Sequence, residues 1–228
     1  MYQDGTYFSN NPTWGEEDAE YKAQRVIDTI VKNGLVFKSL CDVGCGTGGI
    51  LLELAKKFGD EITYVGYDIS PQVHEINKQR EQSNIRFHLG DVLEDDDAFY
   101  DLILANDVFE HVEDSYGFLR KLQPRAKYKI FHIPLDLSAR TVMRVQPLLD
   151  ARKNVGHIHY YTKELAIATL RDTGYEVLDW SYTTKVIEQK TTSARATILK
   201  ILNKTAYSIS PDMAVRLFGG YSMMVLTK

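Results

Sequence analysis

The feature that most constrains the fold is the stretch CDVGCGTGGI at residues 41–50, where four glycines fall within six residues. An apolar run precedes it and the helical pattern LLELAKKF follows, so it predicts a tight turn between a strand and a helix. Glycine permits positive φ angles and has no Cβ to block a ligand. The N-terminus of the next helix adds unpaired N–H donors and a partial positive charge. We therefore expect this turn to lie beneath a bound cofactor.

Strand-like and helical segments alternate along most of the chain. The apolar runs that predict the first five strands are 39–44, 62–70, 85–92, 100–107 and 127–136. Two further strand-like segments, 175–185 and 221–228, come last and are expected to pair as an antiparallel hairpin. This alternation predicts an α/β fold with three layers, in which helices cover both faces of a doubly wound, mostly parallel sheet.

The chain is expected to form a single domain over residues 1–228, with an N-terminal arm and helix at 1–34. Two connections, near 137–158 and 186–220, are longer than the alternation needs. Long connections at strand ends frequently carry binding loops, so both are predicted to be lid-like insertions.

Charge and composition exclude some function classes. The 27 basic and 31 acidic residues give a formal net charge of −4, which disfavours nucleic acid as a partner. No signal sequence or long apolar run is present, so we expect a cytoplasmic protein without stable membrane insertion. The two cysteines are expected to be reduced. Composition leaves a homodimer open.

The glycine turn satisfies two cofactor patterns. Gly44-x-Gly46-x-x-Gly49 matches the dinucleotide fingerprint, and Asp42-x-Gly44-x-Gly46-x-Gly48 matches an acidic, glycine-rich motif of S-adenosylmethionine enzymes. An acidic group at Asp42 would repel a pyrophosphate but can organise an ammonium group. The second pattern is therefore favoured.

Acidic residues also end the next strands. Asp68 lies 20 residues beyond Gly48, where a carboxylate can accept hydrogen bonds from a ribose diol of either cofactor. Asp91 ends the third predicted strand and is placed to meet an adenine amino group. The fourth strand brings further polar side chains to the same edge, namely Asn106, Asp107, Glu110 and His111.

The segments DVGCGTGG, GYDIS, GDV and LILANDVFEHVED, in this order, resemble the class I S-adenosylmethionine-dependent methyltransferases of the small-molecule type. The resemblance covers roughly residues 36–180 and implies a seven-stranded sheet whose last strand is antiparallel. It implies that Gly44, Gly46 and Gly48 border the methionine portion of the cofactor. It also implies that Asp68 binds the ribose and that Asp91 with Val92 contacts the adenine. The cofactor-binding residues predicted in this way are Lys22, Asp42, Gly44, Cys45, Gly46, Gly48, Asp68, Ile69, Asp91, Val92, Asn106 and Asp107.

Methyl transfer chiefly requires alignment of two bound reactants, and a proton acceptor can help an oxygen or nitrogen nucleophile. His111 and His157 are the predicted catalytic residues, because imidazole titrates near neutral pH. His111 follows the fourth predicted strand, and His157 alternates with His159 on an extended segment that could contact an acceptor. His157 and His159 have a spacing that could bind a metal, but no third ligand is visible nearby in sequence, so no metal is predicted.

The sequence therefore predicts methyl transfer from S-adenosylmethionine to an oxygen or nitrogen atom of a small molecule, such as a sugar, a nucleotide-sugar or another metabolite. Two alternatives stay open. One is an NAD(P)-dependent oxidoreductase that uses the same turn. The other is a protein that binds S-adenosylmethionine without chemistry.

Overall fold

A seven-stranded sheet organises the molecule. The computed structural model describes residues 11, 13–189, 191 and 193–228. Its strands are β1 Ser39–Val43, β2 Thr63–Asp68, β3 Ile85–Leu89, β4 Tyr100–Asn106, β5 Ala126–Leu135, β6 Val177–Thr183 and β7 Tyr221–Thr227. None of the helices in the described part of the chain is long and apolar enough to cross a membrane.

The strand order is β3-β2-β1-β4-β5-β7-β6. The first five strands run parallel to one another, whereas β7 runs antiparallel to both β5 and β6. The order reverses between β1 and β4, which is where a doubly wound sheet opens a crevice beyond its carboxyl ends. The predicted fold, including the antiparallel last strand, is confirmed.

Both faces of the central strands are buried, which explains why these strands read as continuous apolar runs. Along β4, Leu102 and Leu104 point into one core cluster, whereas Ile103 and Ala105 point into the other. Adjacent side chains of a strand face opposite sides of the sheet, so an unbroken apolar run is satisfied only between two covering layers.

Helices form those covering layers. They are α1 Ala19–Lys32, α2 Gly49–Phe58, α3 Pro71–Asn77, α4 Ser115–Leu122, α5 Ala139–Arg144, α6 Gln146–Asn154, α7 Lys163–Asp172, α8 Lys185–Glu188, α9 Ala194–Ile209 and α10 Pro211–Phe218. Thr162 caps α7 by accepting a hydrogen bond from the amide of Leu165, whereas Ser70 precedes α3 without a side-chain cap bond.

The two long connections fold into helices. Residues 137–158 contain α5 and α6, which are separated at Val145, where φ is +57°. Residues 186–220 contain α9 and α10. The α9 helix is fastened to the start of β7, because the hydroxyl of Tyr221 donates to Asn203 Oδ1 at 2.6 Å and the rings of Tyr207 and Tyr221 stack at 5.4 Å.

The glycine turn joins β1 to α2. Gly44, Gly46 and Gly48 have φ angles of +69°, +51° and +75°, in the region that side-chain-bearing residues rarely adopt. A Cβ on Gly48 would lie 2.4 Å from the Phe87 ring. Gly48 therefore serves packing against β3 as well as backbone conformation.

We expect Gly48→Ala to lower the free energy of unfolding by about 1–3 kcal/mol more than Gly34→Ala. Gly34 is the matched control, since its φ is +60° and nothing lies within 4 Å of an added Cβ. In both variants the alanine is strained by its positive φ, but only in Gly48→Ala does the added Cβ also clash with Phe87. Urea denaturation measures the difference, and equal losses in the two variants would contradict it.

Candidate active site

A cavity of about 910 Å³ lies beyond the carboxyl ends of β1, β2, β4 and β5. Its walls include the glycine turn, the N-terminal residues 13–19, the strand-end acids and the segment around His157. The cavity therefore occupies the crevice that the reversal of strand order creates.

Asp68 holds the glycine turn against the end of β2. Its Oδ2 accepts a hydrogen bond from the Gly46 amide at 3.0 Å, and its Oδ1 accepts one from the Ser70 amide at 2.9 Å. Burial raises the pKa of this carboxyl, although the two amide hydrogen bonds oppose the rise. Each carboxylate oxygen retains a further acceptor position, so Asp68 can also receive hydroxyl donors from the cavity.

Glu16 covers the N-terminus of α2. Its carboxylate accepts a hydrogen bond from the Thr47 hydroxyl and pairs with Arg80 Nη1 at 2.7 Å. Burial alone would raise the pKa of Glu16, but the bonds from Arg80 and Thr47 lower it. A Cβ on Gly49 would lie 3.7 Å from Glu16 Oε1. A negative carboxylate thus occupies the helix end where a dinucleotide enzyme places its pyrophosphate.

Lys22, Asp107 and His132 form a charged chain across the cavity. Lys22 Nζ lies 2.6 Å from Asp107 Oδ2, and His132 Nδ1 lies 2.6 Å from Asp107 Oδ1. Burial would raise the pKa of Asp107, but His132 and Lys22 hold it well below its usual range. Asp107 also has a φ of +54°, a strained conformation that often marks functional positions.

Asp42 lies beneath the cavity floor and is 1% exposed. The side-chain amide of Asn106 donates to Asp42 Oδ1 at 3.4 Å. Burial raises the pKa of Asp42 to about 7, while Asn106 and Lys22 act in the opposite direction. This carboxyl therefore titrates near neutral pH.

Two predicted catalytic residues meet at the other wall. The rings of His111 and His157 lie 4.8 Å apart in an edge-to-face arrangement, and Glu110 is buried beside them. Burial lowers the pKa of His111 to about 4, with His157 adding to the effect, so the imidazole is neutral at pH 7. His157 Nδ1 lies 2.6 Å from Asp136 Oδ2. His159, by contrast, contacts the Val112 carbonyl at 2.8 Å through Nε2.

Most of the predicted site residues line this cavity. They are Lys22, Gly44, Cys45, Gly46, Asp68, Ile69, Asp91, Asn106, Asp107, His111 and His157. Asp42, Gly48 and Val92 are outside the described lining; Val92 is fully buried and Gly48 packs on Phe87. The cofactor-binding and catalytic roles of all these residues, inside and outside the lining, stay predictions.

The structure adds side chains that sequence analysis did not single out as site residues. Glu16 and Arg80 are far from the turn in sequence, and no spacing pattern links them to it. Asp136 follows β5 directly, so the rule that strand-end acids gather at one edge would have found it. Glu110 follows β4 and was expected at this edge. Its carbonyl also accepts hydrogen bonds from the amides of Ile158 and His159, a contact that depends on the fold.

A family model described as a methyltransferase domain matches residues 16–179. Ajmaline N-methyltransferase of Rauvolfia serpentina is 35% identical over 92 residues, which are 37% of this chain and 31% of that enzyme. Ubiquinone biosynthesis O-methyltransferase of Acinetobacter baylyi is 25% identical over 126 residues, which are 50% of this chain and 52% of that enzyme. The matches thus span about a third to a half of these relatives' lengths.

Solved structures share the fold. Magnesium protoporphyrin IX methyltransferase from Synechocystis PCC 6803, with bound SAH, superposes with a TM-score of 0.60 and 18% identity, covering 91% of this chain and 82% of that one. The cyclopropane synthase MmaA2 of Mycobacterium tuberculosis has a TM-score of 0.60 and 17% identity, with 89% and 82% covered.

We expect the stability difference between Asp42→Asn and the wild type to depend on pH. The pKa of Asp42 is raised to about 7 in the folded chain, against about 3.9 unfolded. Between these values the folded state binds more protons, so the contribution of Asp42 to the unfolding free energy falls as pH rises. Asp42→Asn should therefore gain stability relative to the wild type from pH 5 to pH 8.

Urea denaturation at several pH values checks this expectation, with Asp101→Asn as control. Hydrogen bonds from the Lys38 and Ser39 amides lower the pKa of Asp101, so its stabilising contribution is fully present above about pH 4. Its difference from the wild type should stay constant from pH 5 to pH 8. A flat difference for Asp42→Asn would show that Asp42 is ionised throughout this range.

Proposed function

Because the chain belongs to the methyltransferase-domain family, of the class I S-adenosylmethionine-dependent type, we propose that it transfers a methyl group from S-adenosylmethionine to an oxygen or nitrogen atom of a small molecule. The family membership confirms the resemblance found in the sequence. The chain spans only about a third to a half of the length of these relatives. Its methyl-transfer activity and its acceptor are therefore proposed.

The observation that carries the proposal is the pair of carboxylates on the glycine turn. Asp68 lies at the end of β2 with both oxygens on backbone amides, and Glu16 covers the N-terminus of α2. At that helix end the Glu16 carboxylate already accepts the Thr47 hydroxyl and pairs with Arg80, so a diphosphate would have to displace it. A nucleoside with a positive sulfonium and an ammonium group needs no anion site at this helix end.

The residues present fit S-adenosylmethionine. Bound there, the cofactor would supply an activated methyl carbon whose bond to sulfur breaks as the acceptor atom bonds to it, leaving the electron pair on sulfur. Asp68 would receive the ribose hydroxyls, and Asp91 would lie at the adenine end. The amino-acid portion would lie against Gly44 and Gly46, where the backbone carries no Cβ and φ is positive.

The acceptor is proposed to lie against His111 and His157, at the far wall of the cavity. Relatives named for ajmaline and ubiquinone biosynthesis support a small-molecule acceptor, and their names include both nitrogen and oxygen methylation. Alignment of the two reactants is the main contribution expected of the protein.

The insertions 137–158 and 186–220 are proposed to act as lids over the acceptor. Val155 and His157 from the first, and Val186 and Gln189 from the second, line the cavity. Lys185 at the start of α8 also forms an ion pair with Asp18 of the N-terminal segment. Both insertions therefore reach the cavity walls.

We expect the purified chain to bind S-adenosylhomocysteine and not NAD(P). Asp68→Ala should weaken this binding by about 1–3 kcal/mol, because charge-assisted hydrogen bonds to the ribose are lost. Isothermal titration calorimetry measures both ligands, and Asp172→Ala, at the exposed end of α7, serves as the matched control.

Tight NAD(P) binding without S-adenosylhomocysteine binding would overturn the proposal in favour of an oxidoreductase. Incubation with isotopically labelled S-adenosylmethionine and a metabolite extract then tests turnover by mass spectrometry. Cofactor binding without any labelled product would favour the alternative of a non-catalytic S-adenosylmethionine-binding protein.

A further inference from the structure

Glu110, His111 and His157 form a cluster at the acceptor wall of the cavity. One potential ligand atom from each side chain lies within 4.8 Å of the other two. His111 and His157 line the cavity, whereas Glu110 is fully buried behind them. The three residues come from two segments, the turn after β4 and the connection after α6.

Backbone hydrogen bonds hold these two segments together. The amides of Ile158 and His159 both donate to the Glu110 carbonyl, at 2.9 Å and 3.0 Å. The position of His157 relative to Glu110 and His111 is therefore set by main-chain contacts. A cluster held in this way is preorganised, which lowers the entropy cost of binding a ligand.

Glu110 requires explanation, because both of its carboxylate oxygens are buried and no other described residue donates a hydrogen bond to them. The ring nitrogen Nε2 of His111 lies 3.8 Å from Glu110 Oε1, beyond hydrogen-bond distance. A buried carboxylate without a hydrogen-bond partner is costly. Lys22, a cation on the same cavity, is paired with Asp107 at 2.6 Å. The site thus holds a buried carboxylate that a cation from solution could satisfy.

The environment of His157 points to the kind of cation. Its Nδ1 lies 2.6 Å from Asp136 Oδ2, so the carboxylate fixes the ring and leaves Nε2 for another partner. Metal-binding histidines are commonly oriented by a carboxylate in this way. A set of two imidazoles and one carboxylate suits divalent transition metals and leaves coordination positions open.

We propose that Glu110, His111 and His157 bind one divalent transition-metal ion, and that this ion holds a hydroxyl oxygen of the acceptor. Ligand atoms in one coordination sphere are about 3 Å apart, so each side chain need move only about 1 Å to close on the ion. In the sequence, His157 and His159 have metal-binding spacing but no third ligand nearby. In the fold, His111 and Glu110 lie beside His157 and complete a set of three.

The second half of this proposal rests on the proposed function. A metal ion lowers the pKa of a bound hydroxyl. The O–H bond breaks, its electron pair stays on oxygen and the proton passes to water. The resulting alkoxide or phenolate is the nucleophile that methyl transfer requires, which assigns the acceptor to the oxygen class.

The test measures metal binding directly, on the full chain after chelator treatment and dialysis. Calorimetric titration with Zn²⁺ should give one saturable site per chain. Glu110→Gln and His157→Gln should each weaken binding at least about 10-fold, and Asp136→Asn about 10- to 100-fold. His159→Gln, two residues from His157 but outside the cluster, should leave the affinity unchanged. Titration with Co²⁺ should give a ligand-field absorption that the first two variants lose.

Circular dichroism verifies that each variant is folded. If either Glu110→Gln or His157→Gln does not fold, the other variant still tests the proposal. Absence of a saturable Zn²⁺ site, or equal affinity in the wild type and in His157→Gln and Glu110→Gln, would overturn the proposal and leave Glu110 as a neutral buried acid. S-adenosylhomocysteine binding is measured on the same samples. If it is retained while Zn²⁺ binding is absent, only the metal proposal fails; if it is absent while Zn²⁺ binds, the proposed function fails and the metal site stands.

Discussion

The reversal of strand order between β1 and β4 is the constraint on which the site depends. The connection after β1 leads to α2, whose Leu51 and Leu54 pack on one face of the sheet. The connection after β4 leads to α4, whose Leu119 and Leu122 pack on the other face. Because the two connections leave in opposite directions, a crevice opens between them, and strand-end side chains line it.

Electrostatics divide this crevice into two parts. On one side, Glu16 and Asp68 bracket the glycine turn and favour a cationic nucleoside over a diphosphate. On the other side, Asp107 is paired with Lys22 and His132 at 2.6 Å each, whereas no other described residue donates a hydrogen bond to the Glu110 carboxylate. Carboxylates therefore have different roles in one cavity: Asp68 holds the glycine turn, Asp107 joins Lys22 to His132, and Glu110 is proposed to bind a metal ion.

Prediction from sequence succeeded where the cause was local. The glycine turn, the buried strands and the strand-end acid Asp68 follow from residue type and periodicity, because they need no partner distant in the chain. Asp42 and Gly48, which were also assigned to the cofactor, lie outside the described cavity lining, and their roles stay predictions. Residue pattern cannot distinguish a carboxylate that faces a ligand from one buried a single layer below it.

The sequence by itself determined the α/β class, the parallel sheet with its antiparallel end and the edge at which the cavity lies. Hydrophobic periodicity and backbone freedom depend on each residue and its near neighbours, so they can be read without the fold. Only the tertiary structure decided which side chains meet there. Glu16 reaches Thr47 across 31 positions and His157 reaches Asp136 across 21, and no local rule encodes such contacts. They arise because helices and strands pack as whole elements, and this packing sets where the side chains lie. The packing depends on all the apolar faces of the elements together.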